Sequence, residues 1–210
     1  FDGIAFELVP FTDFDRIENM IKNKKIDFLI SDPLFYKQMN IVHGFVRLST
    51  LALQHEDRYL TRFGGVVFAK KGTGINTVAD LKDKTFMAVS PRGFAGYLCA
   101  MEEFRQKGID KTFFKKLVFS QGKDTDAVMA VKKGEADAAT VRTGLLERMD
   151  AKGKIDIKNF TILNAKNDPS FPYRLSTELY PEFAFSQAAH VSLEVANKIM
   201  RALLDIEQNS

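Results

Sequence analysis

An α/β fold is predicted for this 210-residue chain by three observations. Short runs of strand-forming residues alternate with helix-period segments over most of its length. Loops rich in Gly, Pro, Asp and Ser separate those runs. One plan (apolar helix end, lysine-rich turn, an Asp, short strand, polar loop) occurs twice, in MIKNKKIDFLISDP (20–33) and MAVKKGEADAATVR (129–142). The echo predicts two similar lobes within a length that allows them. A ligand held between two lobes is then the economical functional reading.

The elements follow in order. IAFELVPF (4–11) alternates like a strand, and Thr12 or Asp13 caps a helix with Ile17, Met20 and Ile21 on one face. IDFLIS (26–31) is a short buried strand, and DPLFY begins a turn after it. Residues 44–53 and 64–70 read as strands around the polar QHEDRYLTR, and TVADLKD as one or two helical turns. KTFMAVS is a strand, and GFAGYLCAMEEFRQKG is a long helix ending at Gly108. KLVFS, ADAATV and FTILNA are further strands. They are separated by DTDAVMAVKKGE, a helix capped by Asp124 or Thr125, and by RTGLLERMDAKG. A Pro-rich loop, NDPSFPY, precedes the amphipathic terminal helix SLEVANKIMRALLDIEQ. This alternation predicts largely parallel sheets.

Composition narrows the function. A formal net charge of +3 with no sustained basic stripe argues against a nucleic-acid partner. Apolar residues at 45% and charged residues at 27% are those of a globular protein. The single Cys99 sits among apolar neighbours and excludes an internal disulfide framework without fixing the compartment. No apolar run approaches the ~20 residues of a membrane span. The chain opens on a strand pattern, not a signal peptide, and is expected to be a piece of something larger.

The loop SPRGFAG, residues 90–96, follows a strand and opens a helix. It lacks the Gly-Lys-Ser/Thr of a phosphate-binding P-loop, the full G-x-G-x-x-G fingerprint and the G-x-S-x-G of a nucleophile elbow. His43, His55 and His190 show no spacing that ties a base to Ser90, and no Cys/His cluster suits a metal. No cofactor and no catalytic residue are therefore expected. What remains is an anion seat or only a turn. In the first reading, Gly93 and Gly96 permit close backbone approach, the helix start supplies N–H donors, Ser90 a hydroxyl and Arg92 a cation. TVRTG (140–144) leaves another strand, where Arg142 grips an oxyanion or pairs with Glu147 or Asp137 on the surface. SDPLFY (31–36) leaves a third, with Asp32 and Tyr36 either at a ligand or in an ordinary turn. All three clusters follow strands, where ligands of open α/β sheets bind.

The stretches IDFLISDPLFY, GGVVFAKKGTGINTVADLKDKTFMAVSPRGFAGY, DAVMAVKKGEADAATVRTGLLERM and SFPYRLSTELYPEFAF carry a resemblance over nearly the whole chain. They resemble the phosphonate-binding-protein-like type II periplasmic binding proteins, and within these the extracytoplasmic sensor domains of two-component histidine kinases of the tetrathionate-sensor type. The resemblance implies a two-lobe fold with a ligand cleft between the lobes, residues 1–68 and 164–210 forming one and 69–163 the other. It implies ligand contacts from Ser31, Asp32 and Tyr36; from Ser90, Arg92, Gly93, Phe94 and Gly96; from Asp124 and Thr125; from Thr140, Arg142 and Thr143; and from Phe171. It implies a small polar ligand such as an oxyanion or phosphonate, lobe closure as the signal, and a periplasmic domain attached through the full-length protein to a membrane-bound kinase module. A free binding protein serving an importer permease is the alternative, and oligomer formation is left open. Two departures matter: Asp32 stands where relatives often carry Asn, and Phe35 and Thr125 where they often carry His. An Asp32 facing the ligand repels an anion or favours an amine.

Overall fold

Asp13 starts the first helix by accepting the Arg16 N–H at 3.0 Å, which satisfies one of the donors a helix start leaves over. Helix α1 therefore runs Phe14–Lys22 and buries Ile17 and Ile21. The computed structural model describes residues 5–205. The chain divides into two units, Phe1–Leu51 with Phe183–Ser210, and Ala52–Glu182.

In the first unit, β1 (Phe28–Ser31) leads into α2 (Pro33–His43). Asp32 caps α2, its carboxylate accepting the Leu34 and Phe35 N–H groups at 3.0 Å each. Pro33 at the first helical position loses no bond there. The segment expected to be a turn is therefore a helix. Strand β2 (Val46–Thr50) and β12 (Ala184–Gln187) complete a sheet ordered β1-β12-β2, with antiparallel pairing throughout. Phe35 and Met39 of α2 pack with Ile17, Ile21 and Leu29. Helix α6 (Leu193–Leu204) is capped by Ser192, and its expected continuation beyond residue 205 lies outside the described residues. The predicted first strand is not formed: residues 5–11 hold no regular element, and Phe6 and Leu8 are exposed. Its Ile4 lies outside the described residues.

The second unit begins with the hairpin β3 (Leu53–His55) and β4 (Arg58–Leu60), then β5 (Arg62–Phe63). Its main sheet holds β6 (Gly65–Lys70), β7 (Thr85–Ala88), β8 (Lys116–Phe119), β9 (Ala138–Arg142) and β10 (Phe160–Leu163), in the order β10-β6-β9-β7-β8. Only β7 with β8 and β7 with β9 run parallel, because β6 and β10 arrive antiparallel. The expectation of largely parallel sheets is corrected accordingly. Alternation along β6 serves both faces. Val66 and Phe68 pack with Val128, Val131 and Leu146 of α4 (Asp124–Lys133) and α5 (Leu145–Ala151). Val67 and Ala69 pack with Ala100 and Phe104 of α3 (Cys99–Gln106). Helix α4 is preceded by Lys123, which makes no side-chain cap, so neither Asp124 nor Thr125 is the cap that was expected.

The return segment is tied to this sheet by hydroxyls. Gly65 N–H donates to Thr177 Oγ1 at 2.9 Å and Val67 N–H to Ser176 Oγ at 2.9 Å. Glu103 on α3, buried, accepts from Lys166 Nζ at 2.9 Å and from the Glu178 N–H at 3.0 Å. Residues 164–182 thus belong to the second unit, as does β6, which sits inside its sheet. The unit boundaries fall at residues 51/52 and 182/183, not at the predicted 68/69 and 163/164. Strand β11 (Tyr180–Pro181) closes the segment against β5.

Close approach at Gly64 makes this tie possible. A Cβ there would lie 2.8 Å from Glu178 O, Thr177 Oγ1 and Leu175 Cδ1. Gly64→Ala is expected to cost about 1–3 kcal/mol through overpacking, read as a lower urea midpoint at unchanged slope. A parental midpoint would mean that segment 175–178 yields without cost.

Candidate functional site

Strand β9 ends at Arg142, opposite Gly65 of β6. Gly65 leaves room here for Ala95 O and for Thr177 of the return segment, which a Cβ would meet at 2.7 and 3.2 Å. Arg142 lies with Cζ 4.3 Å from the centroid of the Phe63 ring, a cation–π placement. Its Nη2 is paired with Glu182 Oε1. Glu182 is 2% exposed and Arg142 24% exposed by side chain, so the acid is fully withdrawn from water and the base half so. The Glu182 backbone is fixed as well, its N–H donating to Thr61 O at 2.8 Å. Neither Glu147 nor Asp137 is the partner of Arg142. Glu147 accepts the Arg174 N–H at 2.9 Å, and Asp137 the Thr85 N–H at 2.7 Å.

Around this pair lies a shallow depression with room for about one water. Leu53, Leu60, Phe171 and Tyr173 line it together with Arg62, Arg142, Thr143 and Arg148. Tyr173 is set by a hydrogen bond between its hydroxyl and His55 Nδ1 at 3.0 Å and by an edge-on contact with Phe171. Thr143 is buried and its hydroxyl accepts the Gly64 N–H at 3.2 Å. Arg62 reaches Ser170 Oγ at 2.8 Å. The lining residues carry three guanidiniums and one carboxylate; Arg62 is also paired with Asp168 at 3.5 Å, and Asp124 feels the charges of Arg142 and Arg148.

Behind Phe63 stands Phe94, with ring centroids 5.8 Å apart, and behind that Tyr180 at 5.0 Å. Phe94 opens a wide π turn, Phe94–Leu98, in which Leu98 N–H donates to Gly93 O at 3.0 Å. Such turns are frequent at functional sites. Ser90 and Arg92 are half-buried in the loop before it, and Gly93 N–H closes that loop on Ser90 O at 3.0 Å. Gly96 differs from expectation. It is buried, and a Cβ on it would meet the Val89 side chain at 2.5 and 2.8 Å. This glycine seats the helix on the end of β7, so the expectation that it opens toward a ligand is corrected.

Asp124 lies at the same corner, its Oδ1 3.6 Å from where a Gly96 Cβ would be. Burial pushes its carboxyl above the usual aspartate range, against a backbone hydrogen bond from Arg142 and the charges of Arg142 and Arg148. Thr125 is exposed on α4. Thr140 is fully buried on β9, and its Oγ1 has no hydrogen-bond partner. Ser31, Asp32 and Tyr36 belong to the other unit. There Ser31 is buried, Asp32 caps α2, and Tyr36 N–H bonds Asp32 O at 2.9 Å in its first turn. Within the second unit, then, Arg142, Thr143 and Phe171 share one depression, with Asp124 and Phe94 against its framework. Phe63, Arg62, Arg148, Tyr173 and Glu182 were not anticipated. Among the described residues no group of His, Cys, Asp and Glu is placed to hold a metal ion, and no helix is long and apolar enough to cross a membrane.

Comparison with known proteins bears on the family and the fold. A family described as "ABC transporter, phosphonate, periplasmic substrate-binding protein" matches residues 3–210. The tetrathionate sensor histidine kinase TtrS of Salmonella typhimurium is 28% identical over 97% of this chain, which spans 34% of that protein's length. Two solved structures share the fold. A binding-protein component of an ABC phosphonate transporter from Pseudomonas aeruginosa has a TM-score of 0.69 at 18% identity, covering 94% of this chain and 62% of its own. PhnD1 of Prochlorococcus marinus, in complex with methylphosphonate, has a TM-score of 0.68 at 15% identity, covering 95% and 71%. Both are type II periplasmic binding proteins of two lobes.

Two outcomes follow. Glu182→Ala removes the partner of a half-buried guanidinium and should cost about 2 kcal/mol, below the 3–5 of a fully buried pair, measured by urea unfolding; an unchanged midpoint would show that Arg142 finds another acceptor. The raised folded-state pKa of Asp124 acts in the opposite sense to a salt-bridged aspartate. It destabilises the fold above that pKa, and the penalty is relieved as pH falls toward the ordinary 3.8. Asp124→Asn should therefore raise stability at neutral pH and flatten the pH dependence between those limits. A variant that tracks the parent at every pH would place Asp124 in an unstrained setting.

Proposed function

Because the chain belongs to the phosphonate-type family of periplasmic substrate-binding proteins, we propose that it is an extracytoplasmic ligand-sensing domain. Its ligand is a small polar anion, an oxyanion or phosphonate, bound at the Arg142 corner. Binding favours a closed arrangement of the two units, and closure is relayed to a membrane-attached kinase module. The observation that carries the proposal is the Arg142 guanidinium, laid on Phe63 and held by buried Glu182 in a depression lined by three arginines. Sensing is supported by the similarity to TtrS, which runs over 97% of this chain. A ligand drives closure only by the margin with which it prefers the closed state.

The same family description favours a second reading, a free binding protein that hands its ligand to an importer permease. The reading frame beyond Ser210 separates the two. A membrane span followed by a kinase module supports the sensor, and a stop supports the importer.

A thermal-shift panel of phosphate, methylphosphonate, sulfate, tetrathionate and small amines tests the anion reading. At one hundred times its dissociation constant a ligand adds about 2.7 kcal/mol. Stabilisation by an anion is expected, and stabilisation by amines alone would overturn the proposal. With an anion in hand, Arg142→Ala should weaken binding more than Arg148→Ala. Arg142 is held in place by two partners, whereas Arg148 lines the same depression from an exposed position on α5. Equal affinities by calorimetry would remove Arg142 from the site.

A further inference from the structure

The second unit's sheet has two chemically different ends. At one end lie Gly65, Arg142 and, past β7, Ser90. At the other end, β10 is preceded by Lys158, β6 finishes in Lys70 and Lys71, β7 is preceded by Lys84, and β8 is approached and opened by Lys115 and Lys116. Pairing brings these ends side by side: Lys70 stands opposite Phe160, Thr85 opposite Lys116, and Lys71 N–H bonds Asn159 O at 2.8 Å. Five of the six lysines are exposed, with Lys84 half-buried. Only β9 begins with an acid, Asp137, and its carboxylate accepts the Thr85 N–H at 2.7 Å. Other acids at this end accept from backbone as well, Asp80 from Asn76 and Thr77, Asp110 from Thr112, and Asp156 from Lys158 N–H. These bonds leave them ionised, and Asp83, Asp110, Glu135, Asp137 and Asp156 are exposed there, but Lys82, Lys111 and Lys133 add three more exposed lysines, the last beside Glu135 at 3.8 Å.

We propose that this lysine-bearing end of the sheet docks on an anionic phospholipid surface. The charge is the first argument, since the lysines of this end, with Lys82, Lys111 and Lys133 added to the six, outnumber its carboxylates and attract a plane of phosphate headgroups without fixed stereochemistry. The residue type is the second. Nucleic-acid recognition draws on arginine forks and aromatic stacking, and none of the six positions is arginine. The placement is the third. The lysines sit at the opposite strand ends from Arg142, so docking leaves the ligand corner clear. The inference does not depend on which ligand that corner takes.

Sedimentation of the full chain with vesicles tests it, comparing phosphatidylcholine alone with phosphatidylcholine–phosphatidylglycerol. Binding is expected only to the anionic vesicles, and should weaken as salt rises toward ~0.15 M, where the screening length is ~8 Å. Each lysine at the surface contributes about fivefold. Lys70→Glu, Lys71→Glu, Lys115→Glu and Lys116→Glu combined should therefore abolish binding. The same charge change at Lys22, Lys24, Lys25 and Lys37 in the first unit should leave it largely intact. Circular dichroism checks the fold, and if the fourfold variant unfolds, Lys115→Glu with Lys116→Glu carries the comparison. No binding at low salt, equal loss in both variants, or tighter binding to duplex DNA than to vesicles would each overturn the proposal.

Discussion

The buried carboxylate of Glu182 sets the terms for the corner around it. An ionised carboxylate withdrawn from water is tolerated only with a cation and hydrogen bonds at hand. Arg142 supplies the cation because the β6–β9 register brings the end of β9 beside Gly65. Glu182 is delivered there because β11 pairs with β5 and the Glu182 N–H is bonded to Thr61. Phe63, between Thr61 and Gly65 in the chain, becomes the floor on which the guanidinium lies. Removing any one of these restraints leaves a charge without its counterpart. Glu182 is also the last residue of the second unit, so the pair is seated where the chain crosses to the first.

Small side chains matter here as much as charged ones. Gly64 and Gly65 let Thr177 and Ser176 reach the β6 backbone, and Gly96 lets the Phe94–Leu98 turn settle against Val89. That turn presents Phe94 to Phe63. The aromatic row Tyr180, Phe94, Phe63 then backs Arg142 with rigid apolar surface, which lowers the local dielectric and strengthens the charge interactions in front of it. The same low dielectric raises the Asp124 pKa. An anion arriving beside Asp124 disfavours its ionised form further, so proton uptake and anion binding there assist each other.

Much of the second unit was legible because each strand of its sheet is a short apolar run bounded by Gly, Asp or Lys. The position of Arg142 was legible for a related reason, since a charged residue closing a buried run marks the strand's end. Helix α2 was missed although Asp32-Pro33 is a good helix start. The pair serves turns as readily, and its helix has little polar contrast, with Leu34, Ile41 and Val42 exposed. Strand β12, central to the first unit's sheet, was hidden because nothing local distinguishes a strand that pairs with partners more than a hundred residues earlier. Glu182 and Phe63 escaped for the same reason: their roles depend on register, not spacing. The lysine end of the sheet is the extreme case. No stripe exists along the chain, and only the strand order assembles one.

Asp32 bears on the sign of the ligand. A carboxylate in the loop after β1 would argue for an amine if its charge were directed outward. Instead Oδ1 accepts two N–H groups of α2, at the helix end where the dipole already favours negative charge. Much of its field is thereby balanced within its own helix. In the second unit the balance runs the other way, since Arg62, Arg142 and Arg148 line one depression with Glu182 as the lone lining acid. Asp124 beside it is biased toward its neutral form. Asp168 pairs with Arg62 at 3.5 Å, so the three guanidiniums of that corner face three carboxylates, of which Asp124 is the one biased toward its neutral form. The proposed anion is therefore best accommodated when Asp124 takes up its proton, and Asp32 does not alter that.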